Sequence, residues 1–172
     1  MEQVIPLEEF ERVVGWLVGK PLWDTVAGPT TATAVLLKFG AKIPVKDVRG
    51  NSMQQEAERF EGELSLMVWC SWRVEMGQTE LLCGCGDPYN AGGPMLTGLQ
   101  KLPGDVVSDV SINPFLDLLV AFESGRRLRL FCDRSKEYAY GCYCLFVNGT
   151  DEEICYAAEE GVVKCEREPG PA

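Results

Sequence analysis

Histidine is missing from this chain altogether. That removes the usual base of Ser-His and Cys-His nucleophile pairs, and the commonest nitrogen ligand for a metal. A serine or cysteine nucleophile here would need another base. Long apolar runs are missing too, since none approaches the roughly 20 residues that span a bilayer. Basic residues are scarce, 16 against 26 acidic ones, for a net charge of −10. Nucleic-acid binders show a basic patch or stripe. The densest basic stretch here, Arg126-Arg127-Leu128-Arg129, stands alone. Neither nucleic acid nor a membrane is therefore an expected partner, whereas a basic protein suits the charge. No phosphate loop, nucleophile elbow or dinucleotide fingerprint is present. Met1-Glu2-Gln3 is not a basic lead-in to an apolar segment, so the expectation is a cytoplasmic chain without a secretory signal. In that setting Asn148-Gly149-Thr150 marks a turn and not a glycosylation site.

What the chain does have is alternation. Leu64, Leu66, Val68, Cys70, Trp72 and Val74 fall on one parity, and Glu63, Ser65, Met67, Trp69, Ser71, Arg73 and Glu75 on the other. Successive side chains of a strand point to opposite faces, so residues 63–75 read as one long strand with a buried face. With 172 residues, 46% of them hydrophobic, the chain is long enough for a single domain with a real core.

The remaining elements follow from periodicity and punctuation. Residues 7–18 carry apolar side chains near i, i+3, i+4 and i+7 after Pro6 and before Gly19, which predicts an amphipathic helix. Strands are expected at 23–27 and 31–39, with a loop over 40–61 holding an irregular strand near 43–48. Residues 79–85 return beside the long strand after a turn at Met76-Gly77-Gln78. Residues 87–98, with Pro88, Asn90, Gly92, Gly93 and Pro94, read as a long exposed loop. A loosely alternating strand at 105–112 precedes the clearest hairpin, 116–122 with 127–132. Residues 140–147 are apolar on both parities, as a central strand covered on both sides would be. A last hairpin joins 152–158 to 162–166, and 169–172 form a disordered tail. Leu36-Leu37-Lys38-Phe39-Gly40 echoes Leu119-Val120-Ala121-Phe122-Glu123, which suggests two similar meanders and not a repeat. The fold class is mainly β (α+β): a curved antiparallel sheet, a sandwich or a partly open barrel over residues 1–168, with one N-terminal helix.

Eight cysteines invite a disulfide framework, but a reducing cytosol leaves them as thiols. Cys83, Cys85, Cys142 and Cys144 are the candidate zinc ligands. Their C-x-C spacing puts each pair on one strand face, unlike the C-x₂₋₄-C turns of structural zinc sites, so neither a metal nor a cofactor is expected. Asp87, Asp105, Asp109, Asp117 and Glu123 are the carboxylates that a hydrolase-like cleft would recruit, though their spacing does not pair them. The partner-binding candidates are Met67, Trp69 and Arg73, on the outer parity of the long strand, with Asp87, Tyr89 and Asn90 in the loop. The competing expectation is that the helix or a second sheet covers this outer face, because Trp16 and Leu17 need somewhere to pack.

Several short segments occur in a recognisable order. Gly19-Lys20-Pro21-Leu22-Trp23 is followed by Leu37-Lys38-Phe39-Gly40 and Gly62-Glu63-Leu64-Ser65-Leu66. Cys70-Ser71-Trp72-Arg73-Val74 comes next, and Asp117-Leu118-Leu119-Val120-Ala121-Phe122 precedes Leu128-Arg129-Leu130-Phe131. This order, across residues 15–147, resembles small bacterial proteins akin to immunity proteins of polymorphic toxin systems. The resemblance supplies no catalytic residues. It implies a cytoplasmic, non-enzymatic, β-rich protein that binds a partner; taken with the acidity and the missing catalytic constellation, the leading expectation is an immunity-type protein that neutralises a cognate toxin. The alternatives are an enzyme using carboxylates in a cleft, a zinc or thiol module, and self-assembly through a strand edge or the Met67/Trp69 face.

Overall fold

The computed structural model describes residues 2–29, 31–45, 60–133, 141–149, 153–159 and 161–167. The expected tail at 169–172, and the part of the 40–61 loop between 46 and 59, lie outside these residues. The order is β1 (Glu2–Ile5), α1 (Leu7–Val14) running into a 3-10 turn (Gly15–Leu17), β2 (Leu22–Gly28), β3 (Ala32–Pro44), β4 (Phe60–Val68), β5 (Ser71–Met76) and β6 (Glu80–Gly84). Then follow α2 (Pro94–Leu99), β7 (Val107–Ile112), β8 (Leu118–Phe122), β9 (Arg126–Phe131), β10 (Tyr143–Val147), β11 (Glu153–Ala158) and β12 (Val162–Arg167).

The protein is mainly β, with two antiparallel sheets that do not close into a barrel. One has seven strands in the order β1-β12-β11-β10-β4-β3-β2, and the other five in the order β6-β5-β9-β8-β7. Residues directly opposite each other in an antiparallel pair share a face. In the first sheet Leu37, Leu66, Leu145 and Tyr156 therefore form one inward row, and Val35, Val68, Tyr143, Ala158 and Val162 the next. In the second, Trp72, Leu130 and Leu118 line up, as do Val74, Leu128 and Val120. These residues are buried in a single apolar cluster shared by both sheets.

The expected 63–75 strand is two strands in two sheets. At the junction the amides of Trp69 and Cys70 both donate to the Cys142 carbonyl, each at 2.9 Å, so two residues oppose one. The extra residue bends the chain from the first sheet into the second, while Leu64 to Val74 stay buried on one parity. Trp72 Nε1 then reaches back to the Thr33 carbonyl at 2.9 Å and ties β5 to β3. On the far side the sheets meet along a short seam. There Gly19 donates to Val107 O at 2.8 Å and Leu22 to Asp105 O at 2.8 Å, around a single Pro21–Val106 bridge.

Helix α1 forms where the periodicity places it, with Glu8 and Glu9 in the first turn and Arg12 in the last, complementing the helix dipole. Its docking differs from expectation. Phe10, Val13, Val14 and Leu17 are buried. The Phe10 ring stacks on Tyr143 at 6.3 Å between centroids and lies 6.2 Å from Tyr156. Both tyrosines are on the inward face, so the helix caps the core and leaves Met67 and Trp69 alone. Trp16 remains 48% exposed. The loop expected over 87–98 holds a second short helix, α2, because Pro94 sits at its first turn and Met95 and Leu99, one turn apart, are buried.

Candidate functional site

With the helix on the core side, the outward face of the seven-stranded sheet is left to form a groove. Register again assigns its floor. Leu36, Met67, Cys144, Ala157 and Val163 follow one another across five strands. The neighbouring row is Lys38, Ser65, Phe146, Cys155, Cys165 and Glu2. Lys38 aside, these rows line a concavity of about 740 Å³, with Trp69 at the bend. That is the size of a ligand site and, like most such sites, it is apolar with a few polar groups.

Polar groups lie at defined places in the groove and beside it, Lys38 among those beside it. Lys38 is 3% exposed, with Nζ donating to the Phe60 carbonyl at 2.8 Å and standing 3.8 Å from Glu61 and 4.0 Å from Asp24. The Trp23 ring receives this ammonium at 5.5 Å and that of Lys42 at 5.0 Å. Asn148 Nδ2 donates to Gly62 O at 2.8 Å and to Ser65 Oγ at 3.1 Å, which fixes the β4 end of the groove. Glu2, Glu61 and Glu159 carry the carboxylates of the lining. Burial is no accident at Gly62, where a Cβ would stand 2.5 Å from Leu64 O and 2.6 Å from Phe39 N. Only glycine lets β3 and β4 approach so closely there.

Three thiols share the outward face. Cys155 and Cys165 are directly opposite on β11 and β12, and Cys144 is diagonal to Cys155 on β10. The Cys144 thiol is hydrogen-bonded to Cys155 and buried, and both push its pKa up from 9.0. None of the eight cysteines is in a disulfide.

Of the partner-binding candidates, Met67 and Trp69 line the groove, and the other four lie away from it. Arg73 lies beyond the bend on the outer face of the five-stranded sheet, bonded to Glu75 at 2.5 Å and stacked over Phe131 at 5.0 Å. Asp87 accepts from the Gly84 amide at 2.8 Å and closes the turn after β6. Tyr89 and Asn90 are exposed in the same loop.

The four zinc candidates are dispersed. Cys83 is buried in the core beside Gly98 of α2, and Cys85 is half-buried after β6. Cys142 joins the core cluster near Cys70 at the bend, while Cys144 faces the groove. The bend thus splits the second C-x-C pair between two environments. Among the described residues no three His, Cys, Asp or Glu side chains are arranged to hold a metal.

The carboxylates also serve separate places. Asp105 accepts from the Ser124 amide at 3.2 Å, the Ser124 hydroxyl and Arg126 at 3.4 Å. Asp117 accepts from the Cys132 amide at 2.8 Å and from Asn113 at 3.0 Å. Asp109 and Glu123 are exposed.

Comparison with family models, with curated proteins and with solved structures finds no match. The chemistry of this face is therefore read from its own residues. Among the described residues no helix is long and apolar enough to cross a membrane. Phe146, Cys155 and Cys165 are groove residues that sequence reasoning missed. The signal for the two cysteines was legible, since they flank the last turn symmetrically and so face each other in a hairpin.

Proposed function

We propose that this chain is a non-enzymatic binding module, and that its groove receives an apolar projection flanked by cations on a basic protein. The observation that carries this reading is an apolar floor on a strand scaffold with carboxylates in its lining, in a chain of net charge −10. Trp69, Met67 and Phe146 supply the kind of surface that anchors an interface, and the acidic surroundings speed encounter with a basic partner. In line with the resemblance to immunity proteins, the partner in this reading is a cognate toxin, neutralised in a reducing cytoplasm by occlusion of its basic surface.

The test is co-expression with the product of an adjacent gene, followed by co-purification and titration calorimetry. Trp69→Ala is expected to weaken binding by more than about tenfold, the cost of truncating a central aromatic anchor. Arg73→Ala, outside the groove, is expected to leave it nearly unchanged. Protection against no adjacent toxin would remove the immunity reading. Binding that ignores Trp69→Ala but fails with Arg73→Ala would move the site to the other sheet.

A further inference from the structure

We propose that the floor of the groove is a thiol–disulfide exchange site, in which Cys155 attacks a small-molecule disulfide and Cys165 resolves the product into a Cys155–Cys165 bridge. This goes beyond the binding reading and concerns the groove while no protein partner fills it.

The geometry selects this pair among eight cysteines. Cys155 and Cys165 are opposite residues of β11 and β12. Opposite residues of an antiparallel pair have Cα atoms about 4.5–5.5 Å apart, inside the roughly 4.4–6.8 Å range of disulfides. Their side chains leave the sheet on the same face, so little backbone movement is needed. Cys144 is diagonal to Cys155, at a Cα separation of about 7–8 Å, too far to bridge. Its role is positioning, because its thiol stays protonated and bonds to Cys155. A donated S–H favours the thiolate on the receiving sulfur. Access decides the rest. Cys155 and Cys165 are half-buried and open into the groove, whereas Cys70, Cys83, Cys132 and Cys142 are buried in the core.

The chemistry balances. The Cys155 thiolate attacks one sulfur of oxidised glutathione, the S–S bond breaks, and one glutathione leaves as its thiolate, giving a mixed disulfide. The Cys165 thiolate then attacks the Cys155 sulfur and expels the second glutathione. Two protein thiols are oxidised, one disulfide is reduced, and the two protons go to the departing thiolates.

The experiment uses the full reduced chain and oxidised glutathione, with alkylation quenching and peptide mass analysis. Cys85, also half-buried but not opposite another cysteine, is the internal control. The expected result is a linked peptide pair containing Cys155 and Cys165, formed at least about tenfold faster than glutathionylation of Cys85, as thiolate character and access dictate. Cys165→Ser is expected to hold the mixed disulfide on Cys155, and Cys144→Ser to slow the first step while leaving the same bridge as product. The proposal falls if the bridge joins another pair, if Cys155 reacts no faster than Cys85, or if reaction begins only in denaturant. These readouts need no binding partner, so failure here is separate from failure of the binding reading.

Discussion

Tyr143→Phe removes one oxygen from the middle of the molecule, and its consequences follow from the surroundings. The hydroxyl donates to the Leu116 carbonyl at 2.8 Å in a buried bond. Leu116 itself is held at a φ of +69°, a conformation rarely adopted by a leucine. The variant leaves that carbonyl without this donor, which costs about 1–3 kcal/mol. With about 2 kcal/mol lost, the melting temperature falls by about 4–8 °C for a chain of this size. A pH arm sharpens the test. Burial, with Cys132, Cys70, Cys142 and Asp117 close by, pushes the phenol pKa well above its ordinary 10.0. Above pH 10 the unfolded chain releases this proton while the folded chain keeps it, so the unfolded state binds fewer protons and stability falls as pH rises. Phenylalanine has no such proton. Urea titrations of the reduced protein and the variant should therefore show the wild-type advantage full near about pH 8 and shrinking above about pH 10. An advantage that is absent at neutral pH, or constant into the alkaline range, would refute the reasoning.

Three further outcomes are expected. Gly62→Ala places a Cβ within 2.8 Å of three backbone atoms of Phe39 and Leu64; it should cost roughly 3 kcal/mol, read as a lower urea midpoint at unchanged m. Glu75 is raised by burial but lowered further by Arg73 and Arg129, and its net pKa lies below 4.5. The stability it contributes is present above that value and lost as pH falls through the folded pKa. Glu75→Gln should therefore cost roughly 2 kcal/mol at neutral pH and much less in acid, measured by thermal melts. Cys83 is pushed up to about 12 by burial, with Asp87 adding and Lys101 opposing. The stability this thiol contributes is complete below pH 9.0 and lost towards 12, so Cys83→Ala should flatten the alkaline stability slope.

Local alternation made most of the strands legible, together with the inward face that runs through Leu64 and Val74. It could not reveal the bend, because the buried parity continues unbroken past Trp69 and Cys70 while the cause is the carbonyl of Cys142, distant in sequence. Strand β1 escaped notice because only Ile5 of its four residues is buried, and its pairing comes from β12 at the other end of the chain. Helix α1 announced an apolar stripe, but a stripe does not say which surface it meets. Docking was decided by Tyr143 and Tyr156. The same limit explains β10. Its two apolar parities suggested cover on both sides, yet Tyr143 and Leu145 face the core while Cys144 and Phe146 line the groove.

The bend at Trp69 and Cys70 also sets how the molecule comes apart. One uninterrupted stretch of polypeptide belongs to both layers, and the amides that turn it are anchored on Cys142, just before β10. Prying the layers open pulls directly on that anchor and on the central strand behind it. The expected result is that the two layers unfold together, in one transition seen alike by probes of either sheet.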